Sequence, residues 1–523
     1  MYRFLPCRLL GMLCSAALGS TLLAAPAAAQ TAPARPAATR FVADSLDQYV
    51  QRGMKLWQIP GLAVVVVKDG QVVVSKGYGV RDVSRPQERV DANTLFYIAS
   101  NTKLFTGTAL AQLEQEKKLS LNDPATKYLP DFRLYDPVST QLVTVRDLLG
   151  HHLGTKTFQG DFTFWSSTLT REEILQRVRL LKPVYPFRQD YGYCNAGFLA
   201  AGQVIPAVTG GTSWEAYVEQ TLLKPLGMTN TSMLTTGVAQ RPNLARPYTT
   251  ATGPLTLLPY DQLDNFGPAA SMVSSVNDLG KWLQFQLDSG KVQGQRVLPW
   301  ATLRRTRDVN TALSARKSAL IPEHFRTYGL GVFADDYNGR QVFWHTGGAD
   351  GFVSNTCFVP EEGLGIAVLT NQDNQSFFEA LRYQLLDAYL GMPYQDRSRQ
   401  LWNRAAPGNA EALADIKKLD ARVAKKNKPE LPLKAYAGQY THPLYGPITI
   451  EAQGKQLVVH FSHHPNMTAT LSYMDGQQFR TAYSTTAYGI FPATFTVESG
   501  QVKSVELRVS DGIEQDPYVF VRG

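Results

Sequence analysis

The stretch LFYIASNTKLFTGTAL, residues 95–110, decides the reading of this chain: Ser100 and Lys103 stand one helical turn apart at the start of an apolar helix. Leu104, Phe105, Ala109, Leu110, Ala111 and Leu113 fall on several faces of that helix, as in one packed inside the molecule, and the charged run Glu114 to Lys118 marks its return to water. A serine hydroxyl is a weak nucleophile at neutral pH unless a base takes its proton. Three-residue spacing on a helix sets both side chains on one face. In a dry site the lysine loses its charge and can accept that proton. The pair alone is weak evidence, because Ser-x-x-Lys recurs at Ser314 and Lys317.

Further along, in order, come Tyr193-Cys194-Asn195 and His345-Thr346-Gly347-Gly348. Tyr193 is placed to share the proton transfers, since a neighbouring ammonium stabilises a phenolate. Asn195 can accept from Lys103 and donate to a substrate carbonyl. His345 to Gly348 follows an apolar strand and reads as a tight turn whose glycines let a substrate backbone come close and whose amides can face an oxyanion. His-x-Gly recurs at His152-Leu153-Gly154, so order and context carry the inference rather than any single motif.

Outward from these motifs, Asp44 to Trp57 has helical spacing and stops before Pro60. Leu62 to Val67 and Val72 to Gly77 read as strands joined by the hairpin pair Asp69-Gly70. From about Val143 to Arg304 the pattern is mainly helical and rich in aromatics. There Phe158, Phe162, Phe164 and Trp165 either line a pocket or pack as core, and His151 and His152 are expected to orient loops. Strands return at Tyr328 to Ala334, Gln341 to His345, Phe352 to Val359 and Gly365 to Thr370, and a last helix runs from a Ser376/Glu379 capping box to Gly391. This predicts an α+β domain over residues 30–400: an antiparallel sheet flanked by helices, closed by distant chain segments, with a mainly helical insertion. Residues 401–432, polar and interrupted by Pro407, Pro429 and Pro432, read as a linker with room for one helix. Residues 433–523 alternate as six short strands (Pro447 to Glu451, Gln456 to Phe461, Thr468 to Tyr473, Thr494 to Glu498, Val502 to Val509, Pro517 to Val521), which predicts a small β-barrel or sandwich.

At 523 residues the chain exceeds the usual single-domain range. Residues 1–29 read as a signal peptide: Arg3 and Arg8, an apolar run to about Ala25, then Ala27-Ala28-Ala29. A mature start near Gln30, a periplasmic or secreted location and no stable membrane span after cleavage are therefore expected. Cys7 and Cys14 lie in that segment; Cys194 and Cys357 remain, without metal-ligand spacing, and two buried thiols are favoured over a bridge. The formal charge of +8 falls to +6 when Arg3 and Arg8 leave, and the basic residues are scattered, so no nucleic-acid partner is expected. His460, His463 and His464, on or after an alternating strand, read as surface side chains rather than metal ligands. The absence of a Gly-x-Ser-x-Gly elbow and of a full dinucleotide fingerprint counts against rival enzyme classes.

The three motifs together resemble those of the serine β-lactamase and penicillin-binding-protein superfamily, specifically its class C β-lactamase-like branch, which includes DD-peptidases, D-aminopeptidases and carboxylesterases. The surrounding LSLNDPATKYLPDF, VTVRDLLGHH and HTGGADGF fit that branch, and YAGQYTHPLYGPITI resembles a C-terminal β-domain found on some of these hydrolases. The resemblance covers about Phe41 to Met392. It implies that Ser100 is the acylated nucleophile, that Lys103 and Tyr193 share the proton transfers, and that Asn195 orients Lys103 and the substrate. It further implies that the N–H groups of Ser100 and Gly348 form the oxyanion hole, with His345, Thr346 and Gly347 on the substrate-binding wall, and that no metal or cofactor is needed. The implied substrate is a small ester, amide or peptide, of a kind a cell wall could supply, with the oligomeric state left open. One departure bears on specificity: β-lactamases of this type mostly carry Lys where this chain has His345, and a histidine, mostly neutral at pH 7, attracts a substrate carboxylate less. Esters, amides or peptides are thereby favoured over penicillins. A catalytically silent penicillin-binding sensor or scaffold, or a true class C-like β-lactamase, remain the alternatives.

Overall fold

The computed structural model describes residues 41–509, 512–514 and 516–523; the expected signal peptide lies outside the described residues. Eight antiparallel strands form the central sheet: β1 (Gly61–Lys68), β2 (Gln71–Gly79), β3 (Thr311–Ala315), β4 (Phe325–Tyr328), β5 (Phe333–Tyr337), β6 (Arg340–Ala349), β7 (Phe352–Val359) and β8 (Leu364–Thr370). Their order is β2-β1-β8-β7-β6-β5-β4-β3. The N-terminal hairpin is thus stitched to the far end of the domain, with Leu62 opposite Thr370 and Lys68 opposite Leu364. Asp69 (φ 50°) and Gly70 (φ 79°) make the turn between β1 and β2, as their chemistry predicts.

β1 is buried on both faces, which explains its unbroken run of Val66 and its neighbours. Leu62, Val64 and Val66 pack toward helices α1 (Leu46–Trp57) and α5 (Phe377–Tyr389). Ala63, Val65 and Val67 face the core that holds α2 (Thr102–Gln115), α3 (Asn195–Thr209) and α4 (Val276–Leu287). α2 is buried at twelve of its fourteen residues, as its all-round apolar pattern requires.

Four expectations change. The segment Tyr328 to Ala334 is two strands: β4 ends at Tyr328 and β5 begins at Phe333, with Gly331 (φ 83°) between them, where a Cβ would lie 2.2 Å from the Lys103 carbonyl oxygen. His345 to Gly348 is not a turn but the continuation of β6, and the reversal falls at Asp350 and Gly351. The Ser376/Glu379 capping box does not form. Gln375 Oε1 instead accepts from the N–H groups of Phe377 (2.6 Å) and Phe378 (3.2 Å). The linker is a 28-residue helix, α6 (Arg397–Ala424), with Pro407 inside it and the Asp396 carboxylate capping it at Arg399 N. α6 is held at one end by the buried Arg397–Asp387 pair (2.6 Å) and at the other by Arg422–Asp475 (2.6 Å) and Arg480–Asp420 (2.7 Å).

The C-terminal strands close into an antiparallel barrel: β9 (Gly438–His442), β10 (Gly446–Gln453), β11 (Gln456–Phe461), β12 (Thr468–Asp475), β13 (Gln478–Tyr483), β14 (Ile490–Glu498), β15 (Gln501–Leu507) and β16 (Tyr518–Arg522). Closure through the β9–β16 pair removes both edges. Two strands, β9 and β13, are additional to the six expected from alternation. Among the described residues no helix is long and apolar enough to cross a membrane.

Candidate active site

Ser100 sits in a single 3₁₀ turn (Ala99–Asn101) that runs into α2. Ala99 adopts φ 44°, a conformation that costs a non-glycine residue energy and is held by its surroundings. The clamp is visible: Asn101 Nδ2 donates to Ser354 Oγ (2.8 Å), and Ser354 Oγ donates to the Ile98 carbonyl (2.7 Å). On the same wall a Cβ at Gly347 would lie 1.9 Å from the Ile98 carbonyl oxygen, so β6 approaches the serine turn as closely as only glycine allows. Gly348 borders the cleft, and a Cβ there would meet nothing within 4 Å.

Lys103 is fully buried, with Nζ 3.0 Å from Ser100 Oγ, 2.7 Å from Asn195 Oδ1 and 2.9 Å from the Ala269 carbonyl. Burial pushes its pKa well below the ordinary lysine value, against the opposing pull of Asp161. A neutral amine has two hydrogens and one lone pair. In that neutral form, hydrogens given to Asn195 and Ala269 leave the lone pair for the Ser100 hydroxyl; the charged form donates to all three. The rings of Tyr193 and Phe198, with centroids 4.6 and 5.3 Å from Nζ, flank the site where a cation would form.

Tyr193 is hydrogen-bonded to Ser100, but burial raises its pKa above the free phenol value. Burial thus works against a phenolate at Tyr193, despite the hydrogen bond from Ser100, and favours the neutral phenol. His345 is also buried, donates from Nδ1 to the Thr346 carbonyl (2.7 Å) and accepts at Nε2 from Tyr328 (3.0 Å). Burial, then the neighbouring Lys103, pushes its pKa down to about 3, so it is an uncharged wall of the site. Thr346 Oγ1 accepts from Asn355 Nδ2 at 3.0 Å.

The structure therefore gathers Ser100, Lys103, Tyr193, Asn195, His345, Thr346, Gly347 and Gly348 around one cleft. Three further residues bear on it. His151, buried in a left-handed conformation after a capped helix, stacks on Tyr193 at 4.3 Å and accepts the Cys194 N–H at 3.0 Å. Tyr328 donates its hydroxyl proton to the Nε2 left free by the Nδ1–Thr346 carbonyl bond, which sets the tautomer of His345. Asp161 lies behind Asn195, accepting from its Nδ2 at 2.6 Å. Neither Tyr328 nor Asp161 belongs to a spaced motif; the VTVRDLLGHH context was the one signal for His151.

The cleft, about 1260 Å³, runs from Ser100 between the hydrolase sheet, α6 and the barrel. Phe158, Trp165, Phe333 and Trp344 line it from the hydrolase domain, and Leu413, Ile416, Leu419, Ile490 and Phe491 from α6 and the barrel. The aromatics of the insertion thus divide: Phe158 and Trp165 face the cleft, Phe164 packs on Phe266 (5.0 Å) and Phe162 enters the barrel. Cys194 and Cys357 are free and buried. His464 departs from its expected surface place: it is buried, bonded to Tyr445 and to the Trp165 carbonyl (2.9 Å). Among the described residues no group of His, Cys, Asp and Glu could hold a metal.

The sheet, its helices and the barrel define a β-lactamase/transpeptidase-like fold with an added C-terminal barrel. Solved structures share it: the octameric penicillin-binding protein homologue from Pyrococcus abyssi has a TM-score of 0.57 at 22% identity, over 91% of this chain and 99% of that one. The D-stereospecific amidohydrolase from Streptomyces sp. has a TM-score of 0.52 at 26% identity, over 63% and 94% respectively. The chain is 28% identical over 443 residues to the unguisins hydrolase ungD of Aspergillus violaceofuscus, covering 77% of this chain and 76% of that protein. It is 28% identical over 338 residues to protein flp of Staphylococcus aureus, 63% of each. A model of the Beta-lactamase family matches residues 46–391, and a domain of unknown function, DUF3471, matches 422–521. The chain belongs to the Beta-lactamase family, and its relatives make it a hydrolase.

Proposed function

We propose that this hydrolase cleaves an amide, peptide or ester bond through an acyl-enzyme on Ser100, with Lys103 as general base and Tyr193 as proton donor. The observation that carries the reading is the fully buried Lys103, its pKa pushed well below the ordinary lysine value, with Nζ 3.0 Å from Ser100 Oγ and its other two neighbours both acceptors. Ser100 Oγ gives its proton to Nζ as it attacks the substrate carbonyl carbon, and the N–H groups of Ser100 and Gly348 receive the oxyanion. As the C–N or C–O bond breaks, the leaving atom takes the Tyr193 proton, and Tyr193 regains one from the Lys103 ammonium. Water then attacks the acyl ester by the same relay, releasing the acid and free Ser100. No step calls for a cofactor or metal.

Amide or peptide and ester substrates rank above penicillins. The cleft exceeds the roughly 300–1,000 Å³ typical of small-molecule sites, and on its hydrolase side aromatics stand beside the acidic Asp350, Asp373 and Glu379. The described cations that line it, Lys418, Arg422 and Arg508, are all on α6 and the barrel. His345, neutral down to about pH 3, offers no fixed charge to a carboxylate near Ser100. The likeness to a D-stereospecific amidohydrolase supports testing D-configured amides first. The signal-like residues 1–29 support action in the periplasm or outside the cell, on substrates such as cell-wall peptides. Hydrolysis of paired D- and L-aminoacyl p-nitroanilides, p-nitrophenyl esters and a chromogenic penicillin is the test. Turnover of amides or esters that disappears in Ser100→Ala supports the reading; a penicillin label that is never released marks a sensor.

A further inference from the structure

Asp161 and Phe162 are neighbours on one 3₁₀ turn (Asp161–Thr163) opened by Gly160 at φ 84°, and they face opposite ways. Asp161 faces the hydrolase core, 1% exposed, with Oδ2 2.6 Å from Asn195 Nδ2. Its Oδ1 has no hydrogen-bond partner among the described residues. Phe162 enters the barrel, stacked on His464 (5.1 Å) and Tyr445 (5.2 Å) with Phe461 and Tyr488 edge-on. The flanks are tied to the barrel too. Thr168 N donates to the His463 carbonyl (2.9 Å), Arg177 donates to the Leu444 carbonyl (2.6 Å), and Lys156 pairs with Asp516 (3.0 Å).

A buried carboxylate is costly to keep, and this one forms no ion pair with a direct cation neighbour among the described residues. What it does is geometric. An amide side chain can present either end, but a carboxylate only accepts. Asp161 therefore turns Asn195 so that Nδ2 faces it and Oδ1 faces Lys103. When Lys103 takes the Ser100 proton, the same carboxylate lies behind the new ammonium. We infer that Asp161 is a positioning residue for Lys103, acting through Asn195, and that the barrel holds it in place through Phe162. The C-terminal domain is thereby part of the catalytic support as well as a wall of the cleft. The inference rests on Lys103 being the base in the proposed function. The titratable groups that feel Asp161 are Lys103 from α2, Tyr193 and Cys194 ahead of α3, and Glu514 and Tyr518 from the barrel.

The test compares Asp161→Asn and Phe162→Leu with wild type and Ser100→Ala, reading kcat, KM and the pH profile of kcat/KM on the best ester or amide. Asp161→Asn should lower kcat by roughly tenfold or more with KM changed less than about twofold. Burial lifts the Asp161 pKa to about 7, so above that pH the loss of its anion lowers the Lys103 pKa, and an acid limb lying there should move to lower pH. Phe162→Leu should shift both quantities the same way by a smaller factor. Wild-type kcat and an unmoved limb in both variants would overturn the inference, as would a fall in kcat with the limb fixed in both, the mark of a purely structural role. Activity that survives in Ser100→Ala would instead overturn the reading on which the inference rests.

Discussion

Two helices border the cleft and could hardly differ more. α2 is buried along almost its whole length, follows directly on the turn that holds Ser100 and carries Lys103 in its first turn, whereas α6 buries only Arg397 and Ser398 of its 28 residues. α2 is pinned by core packing on every side. α6 is fastened at its two ends and borders the cleft between them, offering Leu413, Ile416 and Leu419 at three-residue spacing to it. The difference separates two tasks. Reactive geometry within tenths of an ångström needs a rigid, dry support, while recognition of a large substrate is served by a lightly packed strap.

Breaking the rigid side should cost most. Lys103→Ala leaves Ser100 without a base, and kcat/KM should fall by about 10³-fold or more while circular dichroism keeps the wild-type fold. Gly347→Ala comes next. Its Cβ would meet the Ile98 carbonyl at 1.9 Å, so β6 or the serine turn must move, and a loss on the order of 10²-fold in kcat is expected from steady-state kinetics.

A third prediction tests the cost of the dry support. Burial raises the Asp161 pKa to about 7 from an ordinary 3.8. Because the folded value is the higher one, the stability linked to its protonation is full below about pH 4 and is lost as pH rises through about 7. Asp161→Asn removes the ionisation, so in thermal melts the variant should gain on wild type from pH 4 to pH 8, by on the order of 2–4 kcal/mol. A gain in stability beside a loss in kcat would mark a group kept for function. The smallest effect belongs to the strap: Leu413→Ser with Ile416→Ser should raise KM several-fold for long amide or peptide substrates and leave a small p-nitrophenyl ester within about twofold.

The same contrast explains what could be read from the sequence. α2, the Asp69-Gly70 hairpin and β7 (Phe352–Val359) were legible because burial leaves a plain apolar signature and the turn has fixed chemistry. Ser100, Lys103, Tyr193 and Asn195 were legible through order and spacing. The strand through His345 to Gly348 was misread as a turn, since its glycines serve close packing against Ile98 rather than a reversal. α6 was misread as a linker because a helix fastened at its ends needs no apolar stripe along its full length, and Pro407 suggested a break. Asp161 was invisible for another reason: its partner Asn195 is 34 residues away, joined to it only by the fold. The protonation of Tyr193 was not legible, because spacing conveys proximity but not the dryness that pushes its pKa up.

The central claim is that Ser100 is acylated by way of an uncharged Lys103. Intact-mass spectrometry of wild type, Ser100→Ala and Lys103→Ala, after brief exposure to a fluorophosphonate and to a penicillin, addresses it most directly. The account predicts one adduct per chain on wild type with the fluorophosphonate, none on Ser100→Ala, sharply slowed labelling of Lys103→Ala, and slow or absent penicillin acylation. Labelling of Ser100→Ala at the wild-type rate would contradict it and move the nucleophile elsewhere.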